Sequence, residues 1–454
     1  MTFRSVNPAT GEQIEVREAI GDVEVDELVR RADSAFSTFR ELGYEERGEL
    51  LRSAAEILEE ESEELGRLMT REMGKPVEQA VSEAEKCAWV CRHYADHGAG
   101  YLAEEPVDTG ARRSFVRYEP MGPILAVMPW NFPFWQLFRH AAPALMAGNV
   151  VLLKHAPSVP GCARAIEGVF DRAGFPEGAV QNLFVDEQQV ADLLEDPRVR
   201  AATLTGSVPA GKAVAAEAAS RVKKSVLELG GSDPFVVLPS ADLGTAVETA
   251  VRARVQNNGQ SCIAAKRMIL HEEIADEFRD RFVERMESLE VGDPADPASD
   301  VGPLAAEHVL RDLDRQVRET LDAGAEALCG GEPLDRDGFW YPPTVLDEIP
   351  IDSPAYREEL FGPVASLFEV PDLDGALRLA NDTDFGLGAS AWTTDEDERE
   401  RLVRELEAGV VFVNEMVKSD PRLPFGGVKE SGYGRELGRA GIREFVNVKT
   451  VWVE

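Results

Sequence analysis

The strongest constraint on the fold is the alternation of short apolar strands with helical segments in the middle of the chain. Strand-like patterns occur in GPILAVMPW, GNVVLLKHAP, VRAATLTG and DPFVVLP, and helical patterns follow two of them in RAIEGVFDRAG and GKAVAAEAASR. Parallel strands that helices cover on both faces have short continuous apolar runs of this kind. The sequence therefore predicts a doubly wound α/β sheet, with ligands at the carboxyl ends of its strands.

Three further regions flank this sheet. Between Val25 and Tyr101 apolar residues recur at three- and four-residue spacing, which predicts helices. A second alternating set begins near Leu243 and includes the strands AKRMILHE, VASLFEV and GVVFVN, so we expect a second α/β domain. The final segment, FVNVKTVWVE, alternates like an edge strand, and the alternating segment RRSFVRYEP is its natural partner, in this subunit or a neighbouring one.

Composition excludes several classes of function. The chain carries 83 acidic residues against 48 basic ones, and its net charge of −35 is spread along its whole length. Such a charge repels nucleic acid and anionic membranes, so we expect neither as a partner, and it is typical of halophilic proteins from salt-loving organisms. Neither a membrane-spanning apolar run nor a secretory signal is visible, which predicts a cytoplasmic protein.

The cysteines are scattered and odd in number, which predicts reduced thiols rather than a disulfide framework. Cys87 and Cys91 could share a helix face, but no further ligand stands near them at zinc spacing, so we expect no metal site. Cys262 differs from the others because it lies at the tip of the polar loop NNGQSC. Backbone N–H groups in such a loop can face the sulfur and favour a thiolate, so Cys262 is a candidate nucleophile.

Two polar residues at strand ends are candidates for acid–base and electrostatic roles. Glu228, in LELGG, is costly to bury unless it is used as a base or held in an ion pair or a cap, and both interpretations stay open. Asn131, in PWNFP, is either a simple turn former or a rigidly held amide donor of the kind that an oxyanion hole requires.

Residues suited to a dinucleotide follow two other strands. Gly206 and Ser207 open a helix whose N-terminus could hold a pyrophosphate, although the segment TGSVPAG lacks the G-x-G-x-x-G pattern. Lys154 ends the strand VVLLK and is a lone cation placed for a ribose or a phosphate. Each of these signals is weak when it is taken alone.

Eight motifs together resemble the aldehyde dehydrogenase superfamily in order and spacing. They are NPATGE, PWNFP, GNVVLLK, TGS, LELGG, GQSC, EELFGPV and PFGGVKESGYGRE, and they cover essentially the whole chain. Within the superfamily the chain most resembles the short bacterial succinate-semialdehyde dehydrogenases. The resemblance implies an α/β, aldehyde dehydrogenase-like fold with a Rossmann-type NAD(P)-binding domain (1–101 and 121–230), a catalytic domain (231–430) and a small β oligomerisation arm (102–120 and 431–454). It also implies a homodimer or a homotetramer.

The resemblance assigns roles to the matching positions. It makes Cys262 the nucleophile, Glu228 the general base and Asn131 the oxyanion donor. The positions that would line an NAD or NADP cofactor are Trp130, Lys154, Pro157, Gly206, Ser207 and Leu229, with Glu359 on the nicotinamide ribose and Phe361 beside the nicotinamide. The segment EELFGPV also fits a plain turn before a strand.

The resemblance also bears on substrate and cofactor choice. Arg139 stands where the succinate-semialdehyde enzymes carry arginine, and a guanidinium there would bind a distal carboxylate bidentately, although a surface ion pair is the alternative. Ser419 matches a loop position that helps to hold the carboxylate, and Arg336 is a guess for a second substrate arginine. Pro157 stands where NAD-specific enzymes often carry glutamate, so we expect NADP to be at least tolerated.

These assignments predict an NAD(P)-dependent, non-acylating oxidation of succinate semialdehyde through a thiohemiacetal and a thioester on Cys262. Glutarate semialdehyde, 2-oxoglutarate semialdehyde and a general aliphatic aldehyde are the alternative substrates. Glu228 argues against acyl transfer to coenzyme A, and the cofactor positions argue against a thioesterase-like hydrolase. The intact catalytic residues argue against a non-catalytic structural protein.

Overall fold

The computed structural model describes residues 2–454. Its N-terminal part is a hairpin followed by packed helices: β1 (Thr2–Val6), β2 (Gln13–Glu18), α1 (Asp22–Phe39), α2 (Tyr44–Glu60), α3 (Ser62–Met73) and α4 (Val77–Tyr101). The helical pattern predicted between Val25 and Tyr101 is therefore confirmed. Residues such as Leu51 and Leu58, two helical turns apart on α2, are fully buried. Within residues 2–454 no helix is long and apolar enough to cross a bilayer.

The middle of the chain alternates strands and helices, as its apolar pattern predicts. The elements are β3 (Glu105–Pro106), β4 (Arg113–Pro120), β5 (Pro123–Val127), α5 (Trp135–Ala147), β6 (Val150–Lys154), α6 (Pro160–Arg172), β7 (Val180–Asn182), α7 (Glu187–Glu195), β8 (Ala201–Thr205), α8 (Val208–Ser220) and β9 (Lys224–Glu228). Strands β5 to β9 pair in parallel in the order β9-β8-β5-β6-β7. Their buried apolar side chains, Ile124 and Leu152 among them, form the largest core of the molecule.

The second alternating set forms the other large sheet. Its elements are β10 (Asp233–Val237), α9 (Leu243–Val255), β11 (Ala265–His271), α10 (Glu272–Glu287), α11 (Glu307–Asp322), β12 (Glu326–Cys329), β13 (Thr344–Asp347), α12 (Pro354–Arg357), β14 (Val364–Val370), α13 (Leu373–Asn381), β15 (Phe385–Gly386), β16 (Gly388–Trp392), α14 (Glu396–Glu405) and β17 (Val410–Val413). The strand order is β12-β13-β14-β11-β10-β16-β17, and the pairing is parallel except at β12. The predicted second α/β region is therefore present.

Each of the two sheets contributes one candidate site residue. Glu228 is the last residue of β9 in the first sheet, and Cys262 stands just before β11 in the second. Because the carboxyl ends of parallel strands are where α/β sheets bind ligands, Glu228 lies at such an edge of its sheet. The short connection from Leu229 to Ser232 carries the chain from one sheet to the other.

The C-terminal segment returns to both the first sheet and the outer strands. It comprises β18 (Val428–Lys429), β19 (Gly432–Tyr433), α15 (Gly438–Ile442) and β20 (Val446–Val453). Strand β20 pairs antiparallel with β4, from Val446 opposite Pro120 to Val453 opposite Arg113. The predicted partnership of these two segments is thus confirmed, and it forms within one chain. The domain boundaries stay a prediction, and one pairing crosses them, because β19 adds to β9.

Candidate active site

The loop before Cys262 is a tight turn with an unusual backbone. Asn257 and Asn258 have φ angles of 56° and 57°, and Gly259 has a φ of 75°. Asparagine and glycine are the residues that adopt this left-handed conformation most readily. A Cβ atom on Gly259 would also collide with the carbonyl of Gly362. The NNG part of the motif therefore serves the turn that presents Cys262.

Buried amide groups join this loop to the PWNFP segment. Asn257 Nδ2 donates to the carbonyls of Asn131 and Gln260 at 2.8 and 2.9 Å. Asn131 Nδ2 in turn donates to the Gln260 carbonyl at 3.1 Å. One N–H of the Asn131 amide is used in this way, so the other is available to an oxyanion. The segment that carries Asn131 and the loop that carries Cys262 are thus fixed to each other.

Lys266 holds the other side of the loop. Its Nζ donates to the carbonyls of Ser261, Cys262 and Ala264 at 2.9, 2.8 and 3.2 Å. The same atom lies 3.3 Å from Glu359 Oε1. The Lys266 ammonium group therefore holds the backbone at Cys262, the predicted nucleophile. It also holds the Glu359 carboxylate, which is predicted to bind the ribose.

The Cys262 thiol is protected from ionisation. Burial raises its pKa to about 12, although the nearby charges of Arg139 and Lys266 act in the opposite direction. The expectation that the loop favours a thiolate is therefore wrong for the protein by itself. The loss of solvent around the sulfur outweighs the attraction of the two cations. Deprotonation of Cys262 then depends on a base and on the groups that a ligand brings.

Glu228 is buried and without a hydrogen-bond partner. Neither of its carboxylate oxygens is bonded to any of the described residues 2–454, so an ion pair or a helix cap is not its role. Burial raises the pKa of Glu228 well above its usual range, and the charge of Arg139 opposes the rise. A Cβ atom on Gly426 would lie 2.6 Å from Glu228 Oε1, so the glycine of PFGG makes room for the carboxylate.

One cavity joins the nucleophile to most of the positions predicted to bind a cofactor. It has a volume of about 470 Å³. Its lining includes Trp130, Asn131, Gly206, Ser207, Leu229, Cys262, Glu359 and Phe361. The rings of Trp130 and Phe361 meet edge to face with centroids 5.8 Å apart. Ser207 caps the N-terminus of α8 through a bond from Ala210 N to Ser207 Oγ at 3.4 Å, so this helix end opens toward the cavity.

Lys154 and Pro157 lie outside that lining. Lys154 ends β6 as a buried ammonium group, and no carboxylate of residues 2–454 lies at ion-pair distance from it. Burial lowers its pKa, against the attraction of Glu187. The Pro157 carbonyl accepts a hydrogen bond from Arg4 N at 3.0 Å, and the proline places no carboxylate at this position.

The predicted substrate residues have partners inside the protein. Arg139 forms an ion pair with Glu436 and donates to Thr205 Oγ1 at 3.2 Å, so the ion pair expected as the alternative is present, but it is buried and not at the surface. Ser419 Oγ accepts a hydrogen bond from Lys86 Nζ at 2.8 Å. Arg336 packs its guanidinium 3.5 Å from the centroid of the Trp340 ring, and its contacts do not bring it to Cys262.

The comparisons with known proteins agree with this geometry. The sequence matches the Aldehyde dehydrogenase family over residues 1–451. This chain belongs to the aldehyde dehydrogenase family. It is 55% identical over 453 residues to the probable NADP(+) succinate-semialdehyde dehydrogenase of Synechocystis, and the match covers 100% of both chains. It is 54% identical over 456 residues to succinate-semialdehyde dehydrogenase 1 (NADP(+)) of Mycobacterium tuberculosis, again over 100% of both chains.

Solved structures of family members superpose closely. Succinic semialdehyde dehydrogenase from Streptococcus pyogenes, in complex with NADP+, has a TM-score of 0.97 and 34% identity and covers 99% of each chain. Succinate-semialdehyde dehydrogenase from Burkholderia pseudomallei has a TM-score of 0.96 and 34% identity and covers 100% of this chain and 94% of its own. The predicted aldehyde dehydrogenase fold is confirmed.

Sequence reasoning missed three residues that organise this aldehyde dehydrogenase site. Lys266 and Asn257 hold the catalytic loop, and Lys86 contacts Ser419. A lysine near the start of the apolar strand AKRMILH was a usable signal for Lys266, because a buried lysine must have partners. Lys86 gave no such signal, since charged residues stand on every turn of its part of the helix.

Proposed function

We propose that this protein is an NADP-linked, non-acylating succinate-semialdehyde dehydrogenase. The observation that carries the reaction type is the single cavity that is lined by Cys262, Asn131, Ser207, Glu359 and Phe361. A nucleophile, an oxyanion donor and positions for a dinucleotide meet there. The substrate and cofactor come from relatives at 54–55% identity whose names state succinate semialdehyde and NADP(+).

The residues of the cavity fit a dinucleotide. The N-terminus of α8, with Gly206 and Ser207, offers backbone N–H groups to a pyrophosphate. Glu359 is braced by Lys266 and offers oxygens to ribose hydroxyls. Lys154 has no ion-pair partner among the described residues and would take a ribose or a phosphate, and Pro157 places no carboxylate against a 2′-phosphate. When bound, the nicotinamide supplies the hydride acceptor.

The protein's own groups account for the remaining steps. The Glu228 carboxylate takes the proton of Cys262 Sγ and passes it to solvent, and the sulfur attacks the aldehyde carbon, which gives a thiohemiacetal oxyanion. The free N–H of Asn131 and the backbone N–H of Cys262 donate to that oxyanion. After loss of hydride the carbon is a thioester on Cys262. Glu228 then takes a proton from water, which attacks the thioester and releases the acid and the Cys262 thiol.

Burial raises the pKa of Glu228, so its carboxylate takes up a proton more readily than that of an exposed glutamate. The predicted roles of Arg139 and Ser419 toward the distal carboxylate are part of the proposal. Arg139 donates to Thr205 Oγ1, and Thr205 lines the cavity that contains Cys262, while Ser419 accepts from Lys86.

We further propose that the enzyme works in the cytoplasm of a salt-adapted cell as a homodimer or a homotetramer. Strand β20 is the edge of its sheet, and its side chains Val448 and Trp452 are 60% and 53% exposed. An exposed edge of this kind pairs readily with another chain. The oligomerisation arm and the domain boundaries given above belong to the same proposal.

The deciding experiment is steady-state kcat/KM for succinate semialdehyde, glutarate semialdehyde and butanal, each with NADP and with NAD. We expect the highest value for succinate semialdehyde with NADP. A value for butanal or glutarate semialdehyde that equals or exceeds it would overturn the substrate assignment. A preference for NAD would overturn the cofactor assignment. Repeating the assay in molar salt tests the salt adaptation, which predicts equal or higher activity there.

A further inference from the structure

Lys86, on helix α4, is a cation without an anionic partner. Its Nζ donates to Ser419 Oγ at 2.8 Å and lies 4.3 Å from the centroid of the Trp135 ring. Among the described residues 2–454 no carboxylate forms an ion pair with Lys86, although the charges of Glu83 and Asp420 act on it from further away. The loss of solvent around the ammonium group lowers its pKa to about 8. A charge held in this way is unfavourable unless something compensates it.

The acids closest to Lys86 are already engaged. Glu83 forms a buried ion pair with Lys75. Its other oxygen accepts the backbone N–H groups that open helix α5 at 2.9 and 3.0 Å. Asp420 accepts from Arg422 Nε and Nη2 at 2.8 and 2.6 Å. In a chain with a net charge of −35, acids are abundant, yet none is supplied to Lys86.

The position of Lys86 ties it to the catalytic side of the molecule. Trp135, against which it packs, is the first residue of α5 and stands one helical turn before Arg139. Arg139 donates to Thr205 Oγ1, and Thr205 lines the cavity that contains Cys262. Lys86 therefore packs against the helix that reaches this cavity and contacts the loop that carries Ser419. The charge of Arg139 also lowers the pKa of Lys86.

We propose that Lys86, together with the Ser419 hydroxyl, binds the distal carboxylate of the substrate and selects short ω-carboxy aldehydes. This inference rests on the proposed function. The Arg139 guanidinium is engaged by Glu436, whereas the Lys86 ammonium group has donors to spare. An ammonium group next to a hydroxyl offers a carboxylate one charge-assisted bond and one neutral bond. Lys86 would thus supply the second cation for the substrate carboxylate, the role for which the resemblance predicts a second arginine.

The test compares Lys86→Met with Lys418→Met. Lys418 is an exposed lysine next to Ser419 that pairs with Glu415 at 2.9 Å, so its replacement removes the same charge beside Ser419 without touching Lys86. For Lys86→Met we expect kcat/KM for succinate semialdehyde to fall about 10- to 100-fold, mainly through KM. The value for butanal should stay at the wild-type level, and Lys418→Met should match wild type with both aldehydes.

Other outcomes decide against the proposal. An unchanged succinate semialdehyde preference in Lys86→Met overturns it, and so does an equal loss with both aldehydes. Ser419→Ala should show a smaller loss of the same kind, and an unchanged preference there also overturns it. A wild-type enzyme whose kcat/KM for butanal equals that for succinate semialdehyde would instead refute the proposed function. Wild-type selectivity that survives in Lys86→Met refutes only the role of Lys86.

Thermal stability separates binding from a structural role. Because Lys86 is an unpaired and desolvated cation, Lys86→Met should melt at the wild-type temperature or above it. A clear fall in Tm would mean that the ammonium group supports the fold, and it would count against the proposal. Saturating succinate semialdehyde analogues, such as succinate, should raise the Tm of wild type and not that of Lys86→Met.

Discussion

The two sides of Cys262 are built in different ways. The dinucleotide side is an open cavity that is shaped by backbone turns, by glycines and by a helix end. The region around Arg139 and Ser419 instead contains long charged side chains in pairs, namely Arg139 with Glu436, Lys75 with Glu83 and Arg422 with Asp420. Backbone turns fix the shape of the cavity, whereas the charged region depends on buried ion pairs that lose stability when one partner is removed. In the proposal, the cavity determines the reaction type and the charged region determines the choice of substrate.

The largest effect is expected where the two sides meet. Cys262→Ala removes the sulfur on which both covalent intermediates form, so NADPH production from every aldehyde should cease. The measurement is absorbance at saturating aldehyde and NADP. Cys329→Ala, at another unpaired cysteine, is the matched control and should keep wild-type activity. Turnover that survives in Cys262→Ala would refute the nucleophile assignment. It would also remove the reason for comparing the two regions around Cys262.

A smaller but general loss is expected on the dinucleotide side. Asn131→Ala removes an oxyanion donor, and kcat should fall about 10²- to 10³-fold with every aldehyde. Fluorescence titration with NADPH should give a Kd close to that of wild type, because the amide serves the reacting carbonyl. If NADPH binding weakens as much as kcat falls, Asn131 shapes the cavity and does not stabilise charge.

On the substrate side Arg139→Met leaves Glu436 buried without its partner. Both residues are nearly inaccessible, at 2% and 3% exposure, so the free energy of unfolding should fall by about 3–5 kcal/mol. Removal of the cation also raises the pKa of Cys262 and Glu228, so activity should fall with both succinate semialdehyde and butanal. Denaturant unfolding and kinetics measure the two effects. Arg139→Met combined with Glu436→Gln should recover part of the stability. Because the guanidinium is also proposed to bind the distal carboxylate, the loss should be larger with succinate semialdehyde, and an equal loss with both aldehydes would refute that role.

The smallest expected effect concerns the resting thiol. Its pKa of about 12 means that the thiolate is scarce at neutral pH and increases with pH. Alkylation of Cys262 by iodoacetamide in cofactor-free enzyme should therefore accelerate about tenfold per pH unit between pH 7 and pH 10. Peptide mass spectrometry follows the site, in a Cys329→Ala background. A plateau below pH 9 would mean that the site favours the thiolate, as the polar loop sequence by itself predicts.

The same comparison explains how far the sequence could predict this molecule. On the dinucleotide side the residues stand in short motifs such as TGS and LELGG, and the strand and helix periods alone place these motifs at strand ends. Cys262, Glu228 and Asn131 are of this kind. The alternating pattern likewise predicts both sheets and the pairing of β4 with β20.

The substrate side could not be predicted in this way. Lys86 and Ser419 are in contact although 333 positions separate them, and Arg139 meets Glu436 from the other end of the chain. Local patterns do not carry such pairings, because each charged residue has many possible partners. The prediction for the Cys262 thiol is wrong for a related reason. A loop sequence shows which groups are polar, but it does not show how far burial in the fold raises the pKa of the thiol.

The stretch from Ser431 to Val453 connects the surroundings of Glu228, the proposed base, to the surface of the molecule. Ser431 Oγ donates to the carbonyl of Gly230 at 2.6 Å, and Gly432 pairs with Glu228 itself. The backbone then passes Glu436 and ends in the edge strand β20. One continuous segment thus connects the surroundings of Glu228 to the exposed strand β20, where another copy is proposed to bind. Pairing of β20 with another copy, as proposed above, would therefore order the same segment that packs against Glu228.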